Sequence, residues 1–106
     1  MAAPPMLSGE EFRAKALELP DVQEEPYRHG TSFRVRGRVL ATLWADRMEA
    51  NIKASPELQG ELIETHPEAF FQIPNSWGKK GWTGIRLAHV RATELAYALE
   101  HCRETF

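Results

Sequence analysis

The segment Trp77-Gly78-Lys79-Lys80-Gly81-Trp82 gathers three kinds of binding chemistry. Its two glycines permit backbone conformations that aim successive N–H groups at an anion, as a nest does. Lys79 and Lys80 add positive charge, and the indoles of Trp77 and Trp82 offer faces on which a base or sugar stacks. The alternative is a β-turn with its tryptophans packed on the core and its lysines in water. A second group lies on candidate strands. Arg34 and Arg36 alternate with Phe33 and Val35, so both point to one face, and Lys53 and Arg86 join them if their strands are neighbours. Such a stripe meets phosphates with an affinity that falls with salt and reads little of base identity. The alternative is a solvated face whose arginines pair with acids. His29, in a loop before the basic strand, is placed to contact a phosphate or an acidic partner, or is an ordinary loop histidine.

Other reactive side chains make no catalytic pattern. His29, His66, His89 and His101 show neither an i, i+4 pair nor HExxH spacing, so no metal ligand set is local in the sequence. His66 precedes Pro67 at a helix end, where a cation suits the dipole. Cys102 falls on the apolar stripe of the last helix, the place of a buried, inert thiol. Ser32, Ser55 and Ser76 lack a nucleophile elbow, and Asp46 and Glu49 are turn carboxylates unmarked as an acid/base pair. Phosphate-loop and dinucleotide fingerprints are missing, so the expectation is a chain that is not an enzyme and carries no cofactor and no metal.

The elements that must position these residues read as follows. Ser8 and Glu11 form a capping box; Phe12, Ala16 and Leu19 follow at helical spacing, and Pro20 stops the helix. Residues 21–30 read as a polar connection interrupted by Pro26. From Ser32 the period becomes two, Gly37 suits a hairpin turn, and a more fully apolar strand covers 39–44. After a turn at 46–49 a short strand covers 50–54. Ser55-Pro56 opens a second helix with Leu58, Leu62 and Ile63 as its stripe, although Gly60 inside it costs about 1 kcal/mol relative to alanine. Extended segments at 70–73 and 83–87 flank the tryptophan loop, and a last helix from Ala92 carries Leu95, Leu99, Cys102 and Phe106. Short links favour antiparallel pairing, so the expected fold class is α+β: a single antiparallel sheet with helices packed on one face.

A chain of 106 residues is enough for one domain, spanning 1–106, with residues 1–7 as a flexible N-terminus. At this size roughly two-thirds of the unfolded surface can be buried, so neither a disulfide nor a metal is needed to fold. Cys102 is the sole cysteine, which fits a reducing compartment; no signal peptide is read at the N-terminus and no run approaches a membrane span. The expectation is a cytoplasmic monomer without membrane partners. Net charge is only −2, but its sign alternates: residues 1–27 carry −4, 28–53 carry +4, 54–75 carry −4 and 76–91 carry +4. The acidic segments are mainly helical and the basic ones mainly strands and loops, so the sheet face left open by the helices is expected to be basic.

Several pieces taken in order resemble the MmcQ/YjbR family: Ala16-Leu17-Glu18-Leu19-Pro20, His29-Gly30, Ser32-Phe33-Arg34-Val35-Arg36-Gly37, Ala41-Thr42-Leu43-Trp44, Asn51-Ile52-Lys53 before Ser55-Pro56, and Pro67-Glu68-Ala69-Phe70-Phe71 leading into the 77–82 segment. The resemblance covers nearly the whole domain. It implies a CyaY/frataxin-like fold, also described as a double wing, and a DNA-binding role. Thr31 departs from the proline frequent in the family at this place, which loosens the loop holding His29. The frataxin likeness is one of shape, because Glu10, Glu11 and Glu18 do not make a dense acidic ridge for iron.

Three functions follow as expectations. The first is a noncatalytic binding domain that holds DNA by its phosphates on the open sheet face and the 77–82 segment, using Arg34, Arg36, Lys53, Trp77, Lys79, Lys80, Trp82, Arg86 and His29. The second is a protein-interaction module that docks an acidic protein on the same arginines and tryptophans. The third is a small-anion or nucleotide sensor using the loop alone.

Overall fold

The computed structural model describes residues 7–106. Helix α1 (Gly9–Leu17) starts from the foreseen capping box: the Glu11 amide donates to Ser8 Oγ at 3.1 Å, and the Ser8 amide donates to Glu11 Oε1 at 3.0 Å. Of the N-terminus expected to be flexible, residues 1–6 lie outside the described residues. Leu7 is buried, and its amide donates to the Leu87 carbonyl at 3.0 Å.

Residues 21–30, read as a connection, instead contain strand β1 (Val22–Tyr27). Only its two end residues are half-buried and the four between are exposed, so it shows no apolar period. It pairs antiparallel with β2 (Gly30–Val35) through a tight turn at Arg28 and His29. The next hairpin turns at Arg36 and Gly37, with φ of 51° and 81°, the left-handed pair that a two-residue hairpin needs. Strand β3 (Arg38–Trp44) then bulges against β2, where the register shifts between Phe33 and Arg34. Leu40 and Ala41 are both buried as a result, which explains why β3 looks apolar throughout.

A 3₁₀ turn at Ala45–Arg47 leads to β4 (Glu49–Lys53), and Ser55 caps α2 (Pro56–Thr65). The rest is β5 (Phe70–Gln72), the single-turn helix α3 (Ser76–Lys79), β6 (Trp82–Arg86) and α4 (Ala92–Glu104). The six strands form one antiparallel sheet in the order β1-β2-β3-β4-β6-β5. The fold is therefore the expected α+β class, with one strand more than the sequence patterning suggested.

Strand register assigns the two faces, because directly opposed residues point the same way. Thr31, Leu43, Ala50, Ile85 and Phe70 form one cross-strand row. Against this face pack Phe12 and Ala16 of α1, Leu58 and Leu62 of α2, and Leu95, Leu99 and Cys102 of α4, in one continuous core. The opposite row, Glu25, Ser32, Thr42, Asn51, Gly84 and Phe71, belongs to the open face. Among the described residues no helix is long and apolar enough to cross a membrane.

Candidate functional site

The open face holds a groove of about 390 Å³, within the usual range of roughly 300–1,000 Å³ for ligand sites. Tyr27 and Trp44 line it from one end of the strands, Trp82 and Trp77 from the other, and Thr42 and Asn51 lie between. Each aromatic has a local cause. A Cβ on Gly30 would come within 2.4 Å of the Leu43 carbonyl and 2.9 Å of Trp44 Cδ1, so the missing side chain lets the indole of Trp44 lie across β2. Tyr27 meets that indole edge-on at 6.4 Å between centroids, and Arg47 covers it at 5.1 Å.

At the other end, Asn75 caps α3: its Oδ1 accepts from the Trp77 amide at 2.9 Å. Trp77 is left 57% exposed, a large apolar side chain in water. Lys80 Nζ lies 5.1 Å from the centre of its ring. Gln59 of α2, only 7% exposed, fixes this corner from beneath. Its Nε2 faces the carbonyls of Gly78 and Trp82 at 3.0 Å each and Thr83 Oγ1 at 3.2 Å.

The nine residues singled out from sequence do not converge on one surface. Trp77 and Trp82 line the groove, Lys80 is exposed over the Trp77 ring, and Lys79 is exposed on α3 beside a separate hollow that Gln72 and Pro74 line. Arg34 is on the open face but engaged: Nε donates to Ser32 Oγ at 3.1 Å, an Nη donates to the Gly37 carbonyl at 3.2 Å, and Glu25 lies at 3.6 Å. Lys53 turns its Nζ to the Lys80 carbonyl at 2.8 Å, tying β4 to the end of the loop. Arg86 stands at the opposite end of β4 from Lys53, in register with Glu49, with its guanidinium 4.4 Å over the ring of Phe71. His29 is exposed in the β1–β2 turn. Arg36 sits in the β2–β3 turn and donates to the Phe106 carbonyl at 3.0 Å, at the end of the helical layer.

Two expectations are corrected by this geometry. The open face is not a basic stripe, because the unforeseen β1 lays Glu25 beside Arg34 and β4 lays Glu49 opposite Arg86. The 77–82 segment is not an anion nest either. Its amides are engaged: Trp77 with Asn75 Oδ1, Gly78 with the Asn75 carbonyl, Lys80 with Trp77 and Gly81 with Gly78. Gly78 is required for close approach, since a Cβ there would fall 1.8 Å from the Ile73 carbonyl.

Patterning overlooked Tyr27, Trp44, Thr42 and Asn51 as site residues. Tyr27 was hidden with β1. For the other three the signal was strand alternation, which puts Thr42 and Trp44 on one face and Asn51 beside Thr42; the apolar bulge in β3 masked it.

On the helical side a second concavity of about 300 Å³ lies between α2 and α4. Tyr97 Oη donates to Glu61 Oε2 at 2.6 Å, and that hydrogen bond, with some burial, holds the phenol above its ordinary pKa. His66 Nδ1 lies 3.4 Å from Glu94 Oε2, so the polar groups here are occupied with each other. Burial pushes the Cys102 thiol up to about 12, the state of an unreactive core cysteine. Among the described residues no three His, Cys, Asp or Glu side chains are grouped to hold a metal ion.

Comparison with known proteins places this arrangement. The family model described as YjbR matches residues 17–105. The crystal structure of the Deinococcus radiodurans protein DR2400, which carries the family-model domain DUF419, is similar with a TM-score of 0.75 and 26% sequence identity. The similarity covers 96% of this chain and 80% of that one. No curated protein matches the chain.

Proposed function

The chain belongs to the YjbR family, and from that premise we propose that it is a noncatalytic binding domain which takes single-stranded DNA across the open face of its sheet. The observation that carries this reading is the groove, in which Tyr27, Trp44, Trp77 and Trp82 line a sheet face that, among the described residues, only the single-turn α3 borders. An antiparallel sheet with exposed aromatics is a stacking platform for unpaired bases, and each base stacked is worth about 1–3 kcal/mol. Lys79 and Lys80 supply charge at the edge where the strand's phosphates would run. A duplex keeps its bases stacked inside and has none to offer the groove. The lone cysteine is buried and fits a reducing cytoplasm, where the domain acts as a monomer.

The test is fluorescence anisotropy of labelled single-stranded oligonucleotides at low salt, with tryptophan emission followed in parallel. Wild type should bind with quenching of tryptophan. Trp77→Ala should weaken binding about tenfold or more through lost stacking. Lys79→Ala/Lys80→Ala should weaken it at low salt and less at high salt. If wild type fails to bind any oligonucleotide at low salt, the reading falls, and an acidic protein becomes the partner to seek on the same surface.

A further inference from the structure

Thr42 is the one described residue with a buried side-chain polar atom, Oγ1, that has no hydrogen-bond partner among the described residues. The residue is 6% exposed and lines the groove. Its neighbours in the same row are placed differently. Ser32 is satisfied, donating to the Glu25 carbonyl and accepting from Arg34. Asn51, directly across β4 and half-buried, brings an amide with two donors and an acceptor to the same floor. A buried hydroxyl without a partner is destabilising, and valine would fill the same space without that cost. The hydroxyl therefore fits a ligand better than it fits the fold.

We infer that the groove contains a base-selective subsite, in which one unpaired nucleobase stacks on the aromatic walls and Thr42 and Asn51 read its hydrogen-bonding edge. The inference rests on the strand-binding reading and adds selectivity to it. The ligand chemistry is set by the surroundings: aromatic side chains at both ends, the polar Thr42 and Asn51 beside Val39 between them, and Lys80 at one end for an attached phosphate. Aliphatic chains offer neither a face to stack nor a polar edge for the floor to read. A step of one staggered rotamer about χ1 of Thr42 carries Oγ1 to the place of the methyl and the methyl to that of Hβ, and is the movement by which Oγ1 turns to the base.

The experiment compares oligo-dA, oligo-dC and oligo-dT, and the matching free mononucleotides as competitors, on wild type, Thr42→Val and Thr42→Ser. Wild type should prefer one homopolymer. Thr42→Val should lose about tenfold for that homopolymer and little for the others, as the removal of a good base-edge contact does. Thr42→Ser, which keeps the hydroxyl, should retain the preference. Thr42→Val should melt at or above the wild-type temperature, which separates lost recognition from lost folding. Competition by a mononucleotide of the preferred base identifies free nucleotides as ligands too; competition by strands alone means that the base must be delivered by a strand. Equal affinity for the three homopolymers, unchanged by Thr42→Val, overturns the subsite while leaving strand binding standing. If no strand binds but one mononucleotide does, in a manner sensitive to Thr42→Val, only the strand reading is lost. Absence of both overturns both.

Discussion

At the scale of single residues the α3 end of the groove rests on Gln59 of α2. Its side chain touches nothing in the groove, yet its Nε2 serves the carbonyls of Gly78 and Trp82 from beneath the segment that carries the tryptophans. Each carbonyl also accepts from a backbone amide, Gly81 N–H at 3.1 Å and Ile73 N–H at 3.3 Å, so losing Nε2 removes two further bonds of about 0.5–1.5 kcal/mol each and orphans neither carbonyl. Gln59→Ala should accordingly lower stability by about 1–3 kcal/mol, read as a lower urea midpoint. It should also weaken oligonucleotide binding, although the residue is out of reach of the ligand. A variant with wild-type stability and affinity would show that α3 and β6 hold their places without it. Sequence reading could not find this residue, because a glutamine in a helix is ordinarily a solvated one. Trp77, Lys79, Lys80 and Trp82 could be found, since their clustering is visible without any fold. Their mode of action could not, because whether a glycine-flanked amide is free depends on the carbonyl that meets it.

At the scale of elements, the helices and one hairpin were legible where their signals are local: the capping box at Ser8, the Ser55-Pro56 start and the turn at Gly37, which also takes in Arg36. Strand β1 was not legible, because an edge strand exposed on both sides has no apolar alternation to show. Missing it had an electrostatic consequence. The strand carries Glu24 and Glu25 into a sheet that patterning had made basic, and Glu25 lies 3.6 Å from Arg34 while Glu24 accepts from Arg13 of α1 at 2.8 Å. The acidic edge therefore masks the basic strand next to it. Glu25→Gln should release Arg34 toward a phosphate, raising affinity for single-stranded DNA severalfold at low salt. The salt dependence should steepen by about 0.7, the increment for one added phosphate contact on a single strand. The pair is half-exposed, so folding stability should change by less than about 1 kcal/mol. Weaker binding by this variant would place Glu25 among the groups that hold the ligand, and the masking argument would fail.

At the scale of the whole molecule, charge and shape divide the work differently from the order in which they appear along the chain. Segment charges alternate by four units, yet folding brings acids beside the arginines of the open face and leaves a net charge of −2. A molecule of this kind cannot hold DNA mainly by counterion release. What the sheet gathers instead, from β1, β3, α3 and β6, is aromatic surface around a polar floor. Lys79 and Lys80 are exposed near its α3 end and Arg28 and Arg47 over Tyr27 and Trp44 at the other, with Lys53 and Arg34 already engaged within the protein. One phosphate contact from each of the four exposed cations predicts a moderate salt dependence, with log K falling against log salt at about −2.8 for a single strand. Stacking should persist as salt rises, so appreciable affinity should survive at physiological ionic strength, and a duplex of the same sequence should bind more weakly throughout. Anisotropy titrations over a sodium chloride series, with single- and double-stranded forms side by side, measure both quantities. A slope steeper than about −4, or a preference for duplex, would mean that a phosphate-tracking surface governs binding. The groove would then be left without a part in it.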